Sequence, residues 1–435
     1  MSLQNCSPFD QLVLSHGTSV LRFVISTDYS VIMNMSEEVL YKIIQCNLFK
    51  EINVVFSPTT DKNVIQRIKT LNGQPSTLIR KGTEIYLNDL FLCCFDKNSD
   101  LYQYDSSSGM RLIDIFCNLY TEDNSCFDYF VTSQEDKSRL KESKNIIGID
   151  DVLEYIRLYF LQQESFFVTP NFKIDETMYY MYRPRKIFLE YQRLWDYVIT
   201  HEGIASSLAN WSCSLINRLE FFCRSSDALK IESLKRSSNK TNGRIRHHLF
   251  ELIICTTGIF DNLAWIVVSY FSIDIDKRRV SLHQPQSEKD AADSKKSEFI
   301  KVLYKEAHEI ANYLCERHVK EFIRLVYPLR DAFVHQEAPE SCTLSSESQS
   351  SSKSLIQLSS NASEKFSQLE KAGVPCSQCT LQLGSHTYLL IYPFVEFVER
   401  HLSETVNTLL RLLPIDNTQK LKRPFEEIDN CSLFI

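Results

Sequence analysis

The feature that most constrains this chain is a change in the spacing of its apolar residues near Asp151. Before that point, Ser19–Ile25, Ile52–Phe56 and Ile85–Leu87 are short runs dense in β-branched and aromatic residues, the composition of strands. Between them, Glu37–Ile44 and Val64–Ile68 place apolar residues at helical spacing. Such alternation predicts a small α/β or α+β region over residues 1–150. After it the period becomes helical throughout, so the expected class is α+β overall, with a mainly α-helical second part.

Asp151–Leu161 repeats apolar residues every third or fourth position, and Ile187–Thr200 and Ile204–Cys223 continue that pattern. Trp195 and Trp211 are expected between helices. Residues 151–243 read as a helical connecting region, 244–413 as a helical bundle and 414–435 as a polar tail. Leu249–Phe271 has nearly the length of a membrane span, but Glu251, Asp261 and Asn262 interrupt it. Ionisable groups are costly in lipid, so a buried bundle helix is expected, with no membrane partner. Phe299, Leu303, Ala307, Ile310 and Leu314 form one stripe further on. Pro328 is expected to kink the next helix or open a new one, and Pro339 to end it. Ser341–Glu370 is serine-rich and reads as a mobile insertion, too poor in apolar surface to offset its ordering entropy. Tyr388–Leu413 returns to helix and closes the bundle.

Composition narrows the function. The net charge of −7 argues against a protein that coats nucleic acid non-specifically, so any RNA contact is local. The 14 cysteines are scattered, often within apolar runs such as Leu90–Phe95, and behave as buried hydrophobes rather than a disulfide scaffold. Met1–Cys6 lacks the basic and apolar regions of a signal peptide, and the expectation is cytoplasmic. With 10 glycines in the chain, no phosphate-cradling glycine loop is visible.

The densest chemistry lies in Tyr327–His335, where Arg330, Asp331 and His335 fall on one predicted helix. Asp331 and His335 are i,i+4 neighbours, so the carboxylate can orient the imidazole. Arg330 precedes His335 by five residues, an offset of roughly 140° and about 7.5 Å of rise. A histidine can take the proton of a ribose 2′-OH while a guanidinium stabilises charge on the neighbouring phosphate. The same Asp–His pair also suits a helix C-terminus with no ligand at all.

The Arg330-Asp331-x-x-x-His335 run, after the apolar positions Leu325, Val326 and Leu329, resembles the signature of the HEPN superfamily. The resemblance covers about Arg244 to Leu413. It implies a bundle of four or five helices that cleaves RNA without metal or cofactor, leaving a 2′,3′-cyclic phosphate and sparing DNA. It further implies a homodimer, with Arg330 and His335 of both chains lining one cleft. It points to host defence, toxin systems or RNA processing. A non-catalytic module of this type, serving dimerisation or nucleotide binding, is the alternative. The serine-rich insertion beside the motif is placed to cover or gate such a cleft.

Within Lys230–His248, the cations Lys230, Lys235, Arg236, Lys240, Arg244 and Arg246 face a single acid, Glu232. Lys235, Arg236, Lys240, Arg244 and Arg246 are therefore candidate phosphate contacts, or else a solvated loop. Cys376 and Cys379, with His386 and Cys342 nearby, form one incomplete set of zinc ligands. His247 and His248 point to different faces of a helix and make a poor chelate alone. Asp261, an acid in an apolar helix, needs a partner, which Arg330 or His335 can supply.

Overall fold

A computed structural model of the chain describes Phe9 and residues 20–27, 29–57, 59, 61–74, 78–81, 84–87, 90–94, 128–133, 146–282, 298–335, 340–345 and 352–415. The class is α+β, with a helical C-terminal part. Two compact units divide the chain after Ile174, where the sequence reading set its first boundary at 150.

The first unit is built on four parallel strands in the order β2-β1-β6-β7: β1 (Leu21–Ile25), β2 (Ile52–Phe56), β6 (Tyr129–Thr132) and β7 (Ile146–Gly148). Helices α1 (Tyr29–Asn34), α2 (Glu37–Gln45) and α3 (Lys62–Thr70) connect or follow them. Ser36 caps α2 and Asp61 caps α3, each accepting backbone N–H groups of the first turn. The near-continuous apolar strands fit a sheet covered on both faces, and Phe23, Val24, Ile25, Phe130 and Val131 are buried. Each such side chain contributes about 1.5–3 kcal/mol. Strand order reverses between β1 and β6, and ligands of open α/β sheets collect outside the strand ends at such a point. Here those ends carry the buried hydroxyls Ser26, Thr27, Ser57 and Thr132, with Thr27 and Ser57 bonded at 2.8 Å.

A separate antiparallel meander joins β3 (Leu78–Lys81), β4 (Glu84–Leu87) and β5 (Leu90–Cys94). The unit closes with α4 (Val152–Gln162) and the hairpin β8 (Phe166–Thr169) and β9 (Phe172–Ile174). Phe160 and Phe167 pack on Phe49 at 4.8 Å each, which holds residues 152–174 to this unit rather than to a connector.

The second unit is the bundle. It comprises α5 (Glu176–Ile187), α6 (Glu190–Tyr197), α7 (Ser207–Leu234), α8 (Asn239–Tyr270), α9 (Glu298–Glu306), α10 (His308–Cys315), α11 (Arg317–His335), α12 (Ser360–Lys371) and α13 (Ile391–Arg411). α7 and α8 form a long antiparallel hairpin, with Trp211 stacked on Trp265 at 5.2 Å and Asn262 donating to the Trp211 carbonyl. Gly258 sits where a Cβ would collide with the Arg218 guanidinium, so a bare backbone lets that side chain lie between the helices. By length and composition α8 could span a membrane, yet most of its apolar residues are buried in the bundle. The expected stripe Phe299–Leu314 is buried, although the helix breaks at Ala307 into α9 and α10.

The serine-rich segment departs from expectation. Rather than a mobile insertion, its described residues form β10 (Ser341–Ser345), β11 (Ser352–Gln357) and α12. With β12 (Thr380–Leu383) and β13 (His386–Leu390) the strands make a sheet in the order β10-β11-β13-β12. Leu355, Ile356, Ala362, Phe366 and Leu369 bury enough apolar surface to order it, and Thr343 and Ser354 bond to Ser237 in the α7–α8 turn. Tyr388 accordingly lies in a strand, and the closing helix starts at Ile391. Pro339 and residues 416–435 of the polar tail lie outside the described residues.

Candidate functional site

The motif helix α11 is amphipathic. Val319, Phe322, Ile323, Leu325, Val326, Leu329 and Ala332 face the core. Pro328 neither opens nor ends it; the helix passes through, although proline removes one N–H bond and crowds the carbonyl of Arg324. α11 runs antiparallel to α8: Phe322 meets Phe260 edge-on at 6.0 Å, and Phe333 meets Phe250 at 6.2 Å. The motif is thus carried toward the N-terminal end of α8, where Lys240 and Arg246 lie.

Four residues join between α11 and the second half of α8. The Tyr327 hydroxyl, almost fully buried, donates to Asp261 Oδ1 at 3.0 Å. Burial, then the Asp261 carboxylate, raises the Tyr327 pKa far above its usual range, so the phenol stays a protonated donor. Its ring lies 5.2 Å from the Arg330 guanidinium carbon, a cation–π distance. Arg330 Nε and Nη2 both donate to Asp331 Oδ1, at 3.1 and 2.7 Å. Neighbours on a helix do not normally face one another, and the length of the arginine side chain is what closes this gap. Arg330 is 30% exposed and Asp331 42%, and Nη1 makes no hydrogen bond among the described residues. A guanidinium braced on two sides, with an edge toward solvent, is fit to receive a phosphate or carboxylate in a bidentate way.

These contacts revise the sequence expectations. Asp261 finds its partner in Tyr327 rather than in Arg330. Asp331 Oδ1 accepts from Arg330, while its expected orienting role turns on the His335 side chain. His335 is the last residue of α11, and its side chain lies outside the described residues.

The basic stretch is not a loop. It spans the end of α7, a tight turn and the start of α8. Lys235 is buried and paired with Glu232 at 2.7 Å, and Arg244 reaches the same carboxylate at 3.2 Å. One buried acid between two cations staples the turn, which removes Lys235 from the phosphate contacts and engages Arg244 structurally. Lys230 turns inward to Glu399. Arg236, Lys240 and Arg246 remain on the surface.

Nor do the cysteines gather as zinc ligands. Cys376 and Cys379 are buried, and their thiols donate to the carbonyls of Phe366 and Pro393. Burial pushes both up to about 12, so they are neutral core thiols. His386 Nδ1 meets the Gln357 amide instead. The residue that sequence reasoning missed is Tyr327, one turn before Arg330; its signal was an aromatic residue at the start of the motif. Compared with known proteins, the chain matches no family model, no curated protein and no solved structure.

Proposed function

We propose that the bundle is a metal-independent endoribonuclease of HEPN type, acting in the cytoplasm as a homodimer. His335 serves as general base toward the ribose 2′-OH or as general acid toward the leaving 5′-oxygen. Arg330 clamps the scissile phosphate. Deprotonated O2′ attacks phosphorus, the bond to the 5′-oxygen breaks, and that oxygen takes a proton. The products are a 2′,3′-cyclic phosphate and a 5′-OH, so DNA, lacking the nucleophile, is resistant. Asp331 and the Tyr327 ring hold Arg330 ready. Lys240 and Arg246, and Arg236 in the preceding turn, supply flanking phosphate contacts.

The observation that carries this reading is the exposed edge of Arg330, stacked on Tyr327 and held by Asp331. It is an anion receptor on a helix otherwise occupied with packing. The second reading is a non-catalytic dimerisation or nucleotide-binding module; the same pair favours its dimerisation form, because Asp331 competes with any phosphate for the guanidinium. Single-stranded RNAs incubated in EDTA with the wild type and His335→Ala decide between them. The nuclease reading expects fragments ending in 2′,3′-cyclic phosphate from the wild type and none from the variant. Intact RNA across varied sequences, with the dimer present, supports the module.

A further inference from the structure

α8 carries a second cluster of reactive side chains, outside the motif. On a helical wheel, at about 100° per residue, Glu251 lies about 40° past His247 and about 60° short of His248. It therefore stands between two histidines that diverge when considered alone. His247 Nε2 is 3.3 Å from Glu251 Oε1, and His248 Nδ1 is 3.0 Å from Oε2. The two rings lie 5.1 Å apart, and all three ligand atoms fall within 4.8 Å of one another. His247 is 65% exposed, His248 26% and Glu251 41%, so an ion can enter from solvent.

From this geometry we infer a binding site for one divalent transition-metal ion, of the zinc class, held by His247, His248 and Glu251. Tetrahedral ligands at zinc bond lengths of about 2.05 Å stand roughly 3.3 Å apart. The two histidine–glutamate separations, one to each carboxylate oxygen, are near that edge length, and rotation of exposed side chains brings the three ligand atoms, already within 4.8 Å of one another, onto one ion. Two imidazoles and a carboxylate select zinc, cobalt, nickel or copper over magnesium and calcium. Three protein ligands leave a fourth position to water. The ion replaces the histidine–glutamate contacts, and acid weakens binding because the imidazoles must be deprotonated to ligate. This site is separate from the proposed RNA cleavage, which is expected to proceed in EDTA.

The test uses the untagged full-length chain, stripped with chelating resin. Zinc chloride is titrated by calorimetry and cobalt chloride by visible absorption. The expected result is one ion per chain with the spectrum of four-coordinate cobalt. His247→Ala and Glu251→Gln should each lose it while their circular dichroism matches the wild type. His386→Ala, which removes an exposed histidine elsewhere, should retain it. No binding by the wild type, or binding unchanged in both cluster variants, overturns the inference.

Discussion

Two ion pairs in the bundle have similar lengths and opposite surroundings. Lys230 on α7 meets Glu399 on α13 at 2.5 Å, with side chains 4% and 17% exposed. The Ser226 hydroxyl satisfies the second carboxylate oxygen, and the Tyr392 ring lies 5.8 Å from the ammonium. Arg330 meets Asp331 at 2.7 Å, within one helix and partly open to water. The first pair joins two helices away from water. Removing one member strands a charge in low dielectric. The second pair joins nothing distant. In solvent its attraction is worth little, and an RNA phosphodiester, with two non-bridging oxygens to accept from the guanidinium, can displace the carboxylate. The contrast separates a charge that specifies the fold from one available to a ligand.

Lys230→Ala should give the largest effect on stability, a loss of about 3–5 kcal/mol in urea unfolding. Replacing both partners, Lys230→Met with Glu399→Leu, should recover most of it. A loss below about 1 kcal/mol in the single variant would erase the distinction between the pairs. Next, Tyr327→Phe keeps the ring beneath Arg330 but strips Asp261 of its donor, at a cost of about 1–3 kcal/mol by the same measurement.

His401 tests the buried side by pH. Its ring packs on Phe397 at 4.5 Å and Phe322 at 5.5 Å, and burial, then Arg400 and His318, lowers it from 6.5 to about 4. Between those values the unfolded chain binds a proton that the folded chain refuses. Stability therefore falls as pH drops from about 6.5 to about 4. In His401→Gln that part of the slope should vanish; an unchanged slope would assign the acid sensitivity elsewhere. The smallest effect belongs to the open pair: Arg330→Ala should shift stability by only about 0–1 kcal/mol.

Much of this architecture was legible in the residues. Ile52–Phe56 and Glu37–Gln45 form the expected elements because β-branched density and helical spacing agree with their tertiary surroundings. α7 was cut short at Cys223 in the sequence reading, since Ser225, Ser226, Asp227 and Lys230 look like surface. They are buried, and polar partners such as Arg183 for Asp227 and Glu399 for Ser226 and Lys230 arrive from distant elements that no local pattern announces. The serine-rich segment misled through composition. Its Ala362, Phe366 and Leu369 keep helical spacing, and that period outweighs the serines between them. At the site, Arg330 and Asp331 were recognisable from the motif. Their bonding to each other turns on a side-chain conformation that spacing does not fix, and the Tyr327–Asp261 support depends on the pairing of α11 with α8.

The central claim is that Arg330 acts on phosphate rather than on the fold. The direct measurement is RNA cleavage by Arg330→Ala in EDTA, read beside its unfolding free energy. Cleavage should fall by about 10²-fold or more, the size expected for losing a transition-state donor, with stability within about 1 kcal/mol of the wild type. Cleavage at the wild-type rate, or a variant that loses activity only by unfolding, would contradict it.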